Sequence, residues 1–172
     1  MNGAVQVLDL EPGSNFVDWT SCQVDLADVR NKTHKRFDLI FGGLEVNRAF
    51  ATVQQVRRFL SEVTSHLLPG GCFVGMLLDT NELMQRIDLE RRPQNRRFDN
   101  SFLHLNFSGH VAMSPVPLFG AEFEMKMNGD YIQRYHLVHL PAFKKMASAY
   151  GLTLHRVARY EDIFHTHLEE GS

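Results

Sequence analysis

The chain has 172 residues, 44% hydrophobic and 22% charged, with a formal net charge of −2. That length fits one domain with a sizeable core, and the charge balance excludes a global basic field for nucleic acid, so any RNA contact must be a local patch. No apolar run approaches the ~18 residues of a membrane span, the start is not that of a signal peptide, and Cys22 and Cys72 are too few for a disulfide framework or a metal set, which suits buried thiols of an intracellular protein.

Val5 to Leu10 (VQVLDL) reads as a short apolar strand stopped by Pro12-Gly13. A single turn at Phe16 to Trp19 and a second short strand at Cys22 to Ala27 follow. Val29 to Arg36 is polar and basic, a loop. Phe37 to Phe41 is a buried strand with Gly42-Gly43 behind it. The first strong helix spans Thr52 to Leu68. Thr52 and Gln55 have capping-box spacing, and Val53, Val56, Phe59, Leu60, Val63 and Leu67 make one apolar stripe. Pro69-Gly70-Gly71 ends it. Cys72 to Leu78 is apolar enough for a strand covered on both faces, and Asp79 or Thr80 can cap a helix through Ile87.

Residues 88 to 101 are charged and read as an exposed loop. Ser101 to Val111 and Ala121 to Met127 alternate enough for antiparallel strands, punctuated by Pro117-Leu118-Phe119-Gly120. Tyr135 to Leu140 suits another strand. Pro141 fits the first turn of a helix whose apolar face is Phe143, Met146, Ala147 and Tyr150, stopped by Gly151. Leu152 to Tyr160 is the last expected strand. Strands alternating with helices predict an α/β domain with a mainly parallel, doubly wound sheet and an antiparallel insertion after the strand at Cys72.

Several pieces resemble the mRNA cap guanine-N7 methyltransferases, in order: FDLI, AF, RRFLSEVTSHLLPGG, CFVG, NELMQRI, PLFG, LVHLPAFKKMASAYGLTL and YEDIF. PGG alone occurs in many methyltransferases. PLFG followed by LVxxP-xF-xx-M-A-xx-Y-G-L is much more specific. The resemblance covers roughly residues 37 to 164. It implies a Rossmann-like S-adenosylmethionine-dependent methyltransferase fold, trimmed, in a single domain over residues 1–172.

Against that resemblance the pocket positions depart together. The first strand, Val7-Leu8-Asp9-Leu10, fits, but Glu11-Pro12-Gly13-Ser14-Asn15 replaces the glycine loop that lets a cofactor approach backbone. Asp25 is typed like the acid that holds the cofactor ribose. About eleven residues (26 to 36) then precede FDLI, too few for the helix and strand that the resemblance implies there, at ~1.5 and ~3.3 Å per residue. The chain has lost part of that sheet or is a piece of a longer one. The cofactor positions are thus Asp9, Gly13, Asp25 and Gly43, read as vestigial. Where the family carries SxQFxxHYxF, this chain has Phe41 to Phe50, placing Gly43 for Gln, Leu44 for Phe, Asn47 for His and Arg48 for Tyr. A purine gaining positive charge needs an aromatic stack and acids. Leu44 offers no stack and Arg48 repels. Leu78 stands for a proline and Tyr135 for a cap-binding Glu.

The expectation is therefore a catalytically degenerate cap methyltransferase-like protein, a subunit or scaffold in an RNA-associated complex. It has no catalytic residue, no metal and no expected cofactor. The family's closing strand has no counterpart after YEDIF, and a partner protein would cover the exposed sheet edge. RNA is a possible partner and a membrane is not. The compartment would be the nucleus if the family role is kept. The alternative is an active, divergent or truncated methyltransferase contacting S-adenosylmethionine through Asp9, Asp25, Asp79 and Thr80. A third reading is an RNA module using Arg91, Arg92, Arg96 and Arg97, although Asp88, Glu90 and Asp99 dilute that patch. His165 and His167 lack a third ligand and read as a surface pair. His136 and His139 read as core or rim packing.

Overall fold

A computed structural model describes residues 5–7, 36–89, 97–99, 103–107, 116–127, 131–159 and 162. The centre is a parallel pair, β2 (Phe37–Gly42) and β3 (Leu67–Leu78), joined through a short helix α1 (Glu45–Ala49) and the long helix α2 (Val53–His66). α2 starts as its sequence predicts: Thr52 is extended, and its side chain accepts a hydrogen bond from the Gln55 N–H at 3.2 Å. Val56, Phe59, Leu60 and Val63 are buried, so the stripe faces the sheet.

α2 stops at His66, two residues short of the expected Leu68, because Leu67 already has extended backbone and opens β3. β3 likewise begins at Leu67 rather than Cys72. Pairing Phe37 with Leu67 and then Leu39 with Cys72 leaves extra residues on β3. The Pro69-Gly70-Gly71 run takes up that excess, with Gly70 at φ 80°. A side chain at Gly71 would sit 2.9 Å from the Leu68 carbonyl oxygen and 3.0 Å from those of Asp38 and Phe37.

The parallel part is confined, among the described residues, to β2 and β3. β1 (Val5–Val7) and β8 (Ala158–Arg159) complete a sheet of order β2-β3-β1-β8, and β1 runs antiparallel to both its neighbours. The expected last strand, Leu152 to Tyr160, reduces to β8. The expected second strand at Cys22 to Ala27, and the turn at Phe16 to Trp19, lie outside the described residues.

The antiparallel insertion is present as a second sheet of order β4-β5-β6-β7. Its strands are β4 (Arg97–Asp99), β5 (Leu103–Phe107), β6 (Glu122–Met127) and β7 (Gln133–His136). Reading residues 88 to 101 as a loop is corrected at both ends. Helix α3 (Thr80–Leu89) runs on through Leu89, and Arg97-Phe98-Asp99 gains a ladder from β5 that no local pattern foretells. β7 ends at His136, short of the expected Leu140, since His139 caps helix α4 (Leu140–Ser148) by accepting from the Ala142 N–H at 3.2 Å. Pro141 sits in the first turn of α4 as expected, Phe143 is its buried anchor, and Gly151 (φ 79°) ends it.

Two cores result. One, between the first sheet and its helices, contains Ile40, Val46, Phe50, Leu60, Leu77 and Phe143. Phe50 is fully buried, stacked on Phe119 with ring centres 5.3 Å apart and edge-on to Phe143 at 6.1 Å. The Gly120 N–H donates to the Phe50 carbonyl at 2.9 Å, with Gly120 at φ 77°. The PLFG sequence is therefore a clasp on the Phe50 corner. The other core, under the second sheet, contains Leu78, Leu105, Phe107, Phe123, Met125 and Tyr135.

Replacing Gly71 by Ala forces three backbone oxygens apart, whereas Gly70→Ala costs only left-handed strain of about 1–2 kcal/mol. Urea unfolding should show the larger loss for Gly71→Ala. Equal losses would contradict the bulge geometry.

Candidate functional site

Five positions scattered through the chain (Leu44, Asn47, Arg48, Leu78 and Tyr135) gather where the carboxyl end of β3 meets β7. Gly43, in the bend after β2, is buried, and its carbonyl accepts from the Met76 N–H at 3.2 Å. That bond ties the bend to β3 and lets α1 start at Glu45. Leu44 is half-buried against the core of the second sheet, the cluster that contains Leu78 and Tyr135.

Asn47 is completely buried. Its Nδ2 donates to the His136 carbonyl at 2.9 Å, and its Oδ1 accepts from the Leu78 N–H at 3.4 Å. One side chain thus joins the last residue of β3 to the last residue of β7. Both backbone groups lie at strand ends, where a ladder no longer serves them.

Arg48, next on α1, is exposed, but its guanidinium lies over the Tyr135 ring, 5.3 Å from the ring centre. Its Nη2 donates to Gln133 Oε1 at 2.6 Å and makes a long contact of 3.5 Å to the Tyr135 hydroxyl. That hydroxyl itself donates to Gln133 Oε1 at 2.6 Å. Tyr135 is only 5% exposed, held between Arg48 on one side and Phe123, 6.1 Å away, on the other. Gln133 had no place in the sequence reading. Its spacing of two from Tyr135 on one strand, which puts both on one face, was the available signal.

Asp79 and Thr80 are close by and structurally committed. Asp79 Oδ1 accepts from the N–H groups of Asn81 and Glu82 at the start of α3, and Thr80 donates to the Val138 carbonyl at 2.9 Å. Among the described residues, two buried side-chain polar atoms lack a hydrogen-bond partner: Glu45 Oε2, beside Gly42, and His136 Nδ1. The His136 Nε2 lies 3.9 Å from Glu122 Oε2 on the outer face of the second sheet. Glu45 was another residue the sequence reading passed over, and only its depth in the fold singles it out.

A cavity of about 260 Å³ lies elsewhere, at the amino end of β3, lined by Gly71, Phe73, Phe143, Lys144, Leu154 and Arg156 among others. Leu78 is seven residues along β3 from Gly71, roughly 23 Å at ~3.3 Å per residue. The described cap-pocket positions therefore meet one another and do not line that cavity. Asp9, Gly13, Asp25, Arg91, Arg92, Arg96, His165 and His167 lie outside the described residues. Arg97 is exposed on β4, opposite Asn106. No group of three or more potential metal ligands occurs among the described residues.

A parallel strand–helix–strand unit, with polar groups collected at the carboxyl strand ends and an antiparallel sheet packed beside them, makes an α/β domain with a Rossmann-like centre. The chain belongs to the mRNA (guanine-N(7))-methyltransferase domain family, whose profile matches residues 13–172. It is 29% identical over 122 residues to the mRNA cap guanine-N(7) methyltransferase of Drosophila melanogaster, covering 71% of this chain and 28% of that protein. It is 24% identical over 152 residues to the Caenorhabditis elegans enzyme of the same description, covering 87% and 39%. The chain thus spans less than half the length of these curated relatives. Among solved structures it is similar to an S-adenosylmethionine-dependent methyltransferase from Clostridium acetobutylicum, with 15% identity, a TM-score of 0.38, and coverage of 74% of this chain and 52% of that one.

Among the described residues near the strand ends, the polar groups of Asn47, Asp79 and Thr80 are engaged in intrachain bonds, and Gly43 gives its carbonyl to β3. Glu45 Oε2 is the remaining buried acceptor there. The other positions that the resemblance places at the cofactor, Asp9, Gly13 and Asp25, lie outside the described residues.

Asn47→Ala strands the Leu78 N–H and the His136 carbonyl, at about 1–3 kcal/mol for each unsatisfied group. A loss of roughly 2–4 kcal/mol should lower the thermal midpoint by about 5–10 °C for a domain of this size. Differential scanning calorimetry checks it, and a change under about 1 °C would show that the amide does not hold the two sheets together.

Proposed function

We propose that this chain is a catalytically degenerate relative of the mRNA cap guanine-N7 methyltransferases, kept as a subunit or scaffold in an RNA-associated complex. The supporting observation is that the residues at the resembled cap-pocket positions satisfy one another. Asn47 bridges Leu78 and His136, and Arg48 covers Tyr135. Transfer to a purine nitrogen depends on orienting two ligands and stabilising positive charge. A fixed guanidinium at the purine position opposes both. The retained features, namely the α2 stripe, the Gly70-Gly71 bulge, the Phe119-Gly120 clasp and the Pro141 helix, all serve packing. A protein partner fits this reading, and the nucleus is the compartment if the capping role is kept. Among the described residues, no helix is long and apolar enough to cross a membrane.

The competing reading is an active S-adenosylmethionine-dependent cap methyltransferase. Its support is Glu45 Oε2, a buried acceptor with no partner at the end of β2, which is where a bound ligand could supply a donor. In that case Asp9 and Asp25 would join Asp79 and Thr80 around the cofactor.

Isothermal titration calorimetry with S-adenosylmethionine, paired with a methylation assay on capped RNA, separates the two. The degenerate reading expects neither micromolar binding nor N7 methylation by the chain. Clear micromolar binding with turnover would reject it. A second comparison uses Asn47→His, which restores the resembled residue. It should destabilise the protein without restoring activity, because the position is fully buried and sized for an amide.

A further inference from the structure

The cavity at the amino end of β3 lies far from the resembled pocket, and the methyltransferase reading makes no use of it. Its volume of about 260 Å³ is close to the lower end of ligand sites, ~300 Å³. That size suits one ring with a short side chain and is too small for a nucleotide. Two glycine turns border it. On one side is the Gly70-Gly71 bulge, and no atom lies within 4 Å of where a Gly70 side chain would start. On the other, Gly151 ends α4 in left-handed conformation, with open space at the same position. The carbonyls of Met146, Ala147 and Ser148 already accept from the N–H groups of residues 149 to 152, which holds that turn in place.

The floor is apolar and preformed. Phe143 is buried, and Phe73, Leu152 and Leu154 are half-buried. Phe73 meets Phe59 edge-on at 5.6 Å and lies across Gly42 and Gly75, where any side chain would come within 3.1 Å of its ring. Phe143 is fixed edge-on to Phe50. The rim carries one sign of charge. Lys144, His155 and Arg156 are exposed at its edge, and no Asp or Glu lines the cavity. Lys144 makes no ion pair among the described residues. The chain as a whole has a net charge of −2, so this basic rim is a local feature and not a share of a general field.

An apolar floor under a cationic rim selects a ligand with matching halves. We infer that this cavity binds a small amphipathic anion, with a ring or branched chain against Phe73 and Phe143 and one carboxylate or phosphate head at Lys144. Burial of the body supplies the attraction, and the charge of the rim sets orientation and sign. The site is independent of the proposed function, since it shares no residue with the resembled cap pocket.

Cys72 supplies a local readout, because it lines the cavity half-buried, with its thiol 4.0 Å from the Gly70 carbonyl oxygen. In the full chain carrying Cys22→Ser it is the only thiol. The experiment follows alkylation of Cys72 by N-ethylmaleimide, a neutral reagent, with phenylpropionate, phenyl phosphate, phenylpropanol or phenylpropylamine present. The anions should protect Cys72, and comparing the two identifies the preferred head. Half-maximal protection by the better anion should need at least roughly threefold less ligand than by the alcohol, and the amine should protect least. Lys144→Gln should raise that concentration about two- to fivefold, and Lys144→Glu further. Position 144 is exposed, and the thermal midpoint of each variant establishes folding. Amide NMR of the same titrations should show shifts at Gly71 and Gly151, which keeps the test decisive if Cys72 alkylates too slowly to follow. Absence of both protection and these shifts with either anion at about 10 mM overturns the inference. So does an equal effect of anion and alcohol, or an unchanged effect in Lys144→Glu. Equal protection by a short RNA oligonucleotide also overturns it, because the rim would then be a contact for a phosphate backbone.

Discussion

The buried amide of Asn47 is the constraint on which the arrangement of the two sheets depends. Side-chain packing can hold a sheet against helices at many offsets, because apolar contact is non-directional. A pair of hydrogen bonds from one immobile amide is directional. With its Nδ2 on His136 and its Oδ1 on Leu78, Asn47 sets the distance between the ends of β7 and β3. Apolar residues on either side, Leu77 and Val138 in one core and Leu78 and Leu137 in the other, then pack about that fixed point. An unmade bond at this depth would be expensive, so the geometry is narrowly specified.

That same fixed point shapes the site. α1 is only a five-residue helix, yet its successive side chains do different jobs. Val46 enters the first core, Asn47 spans the two sheets, and Arg48 turns outward to Tyr135. The rotation of ~100° per residue in a helix separates them. Since Asn47 locks the helix in place, Arg48 reaches the Tyr135 ring from a defined root, and Gln133 gives its head group a defined end. The contact between the Tyr135 ring and the guanidinium that covers it thus depends on one anchor.

The scaffold motifs have simple packing reasons. Phe119 is needed because Phe50, at the corner where α1 gives way to α2, has one face toward it and an edge toward Phe143. Gly120 is needed because its backbone is left-handed and close to the Ala51 carbonyl. Pro141 begins α4 where an N–H would have no helical partner, and His139 serves the Ala142 N–H. Each of these residues has a packing or backbone role here that needs no chemistry to explain it.

Much of the architecture was written locally. The stripe from Val56 to Val63, the Thr52 cap, the apolar run after Cys72 and the Pro141 helix were each legible because a periodic pattern and its boundary residues lie within one turn or one strand of each other. Leu44, Asn47, Arg48, Leu78 and Tyr135 stood out in sequence only as residue types that differ from the resembled pattern, with no geometry. What sequence could not show was anything made by contacts across the chain: the strand at Arg97 to Asp99, the antiparallel course of β1, the bulge that starts β3 early, the participation of Gln133. Residues such as Asn47 and His136, or Arg48 and Gln133, are separated by 89 and 85 positions, and no local propensity encodes a bond over that span. Sequence by itself determined the family and the main helices. Only the tertiary structure decided that Asn47 is a bolt between sheets and that Arg48 sits on Tyr135, because hydrogen bonds and stacking depend on where the backbone carries each side chain.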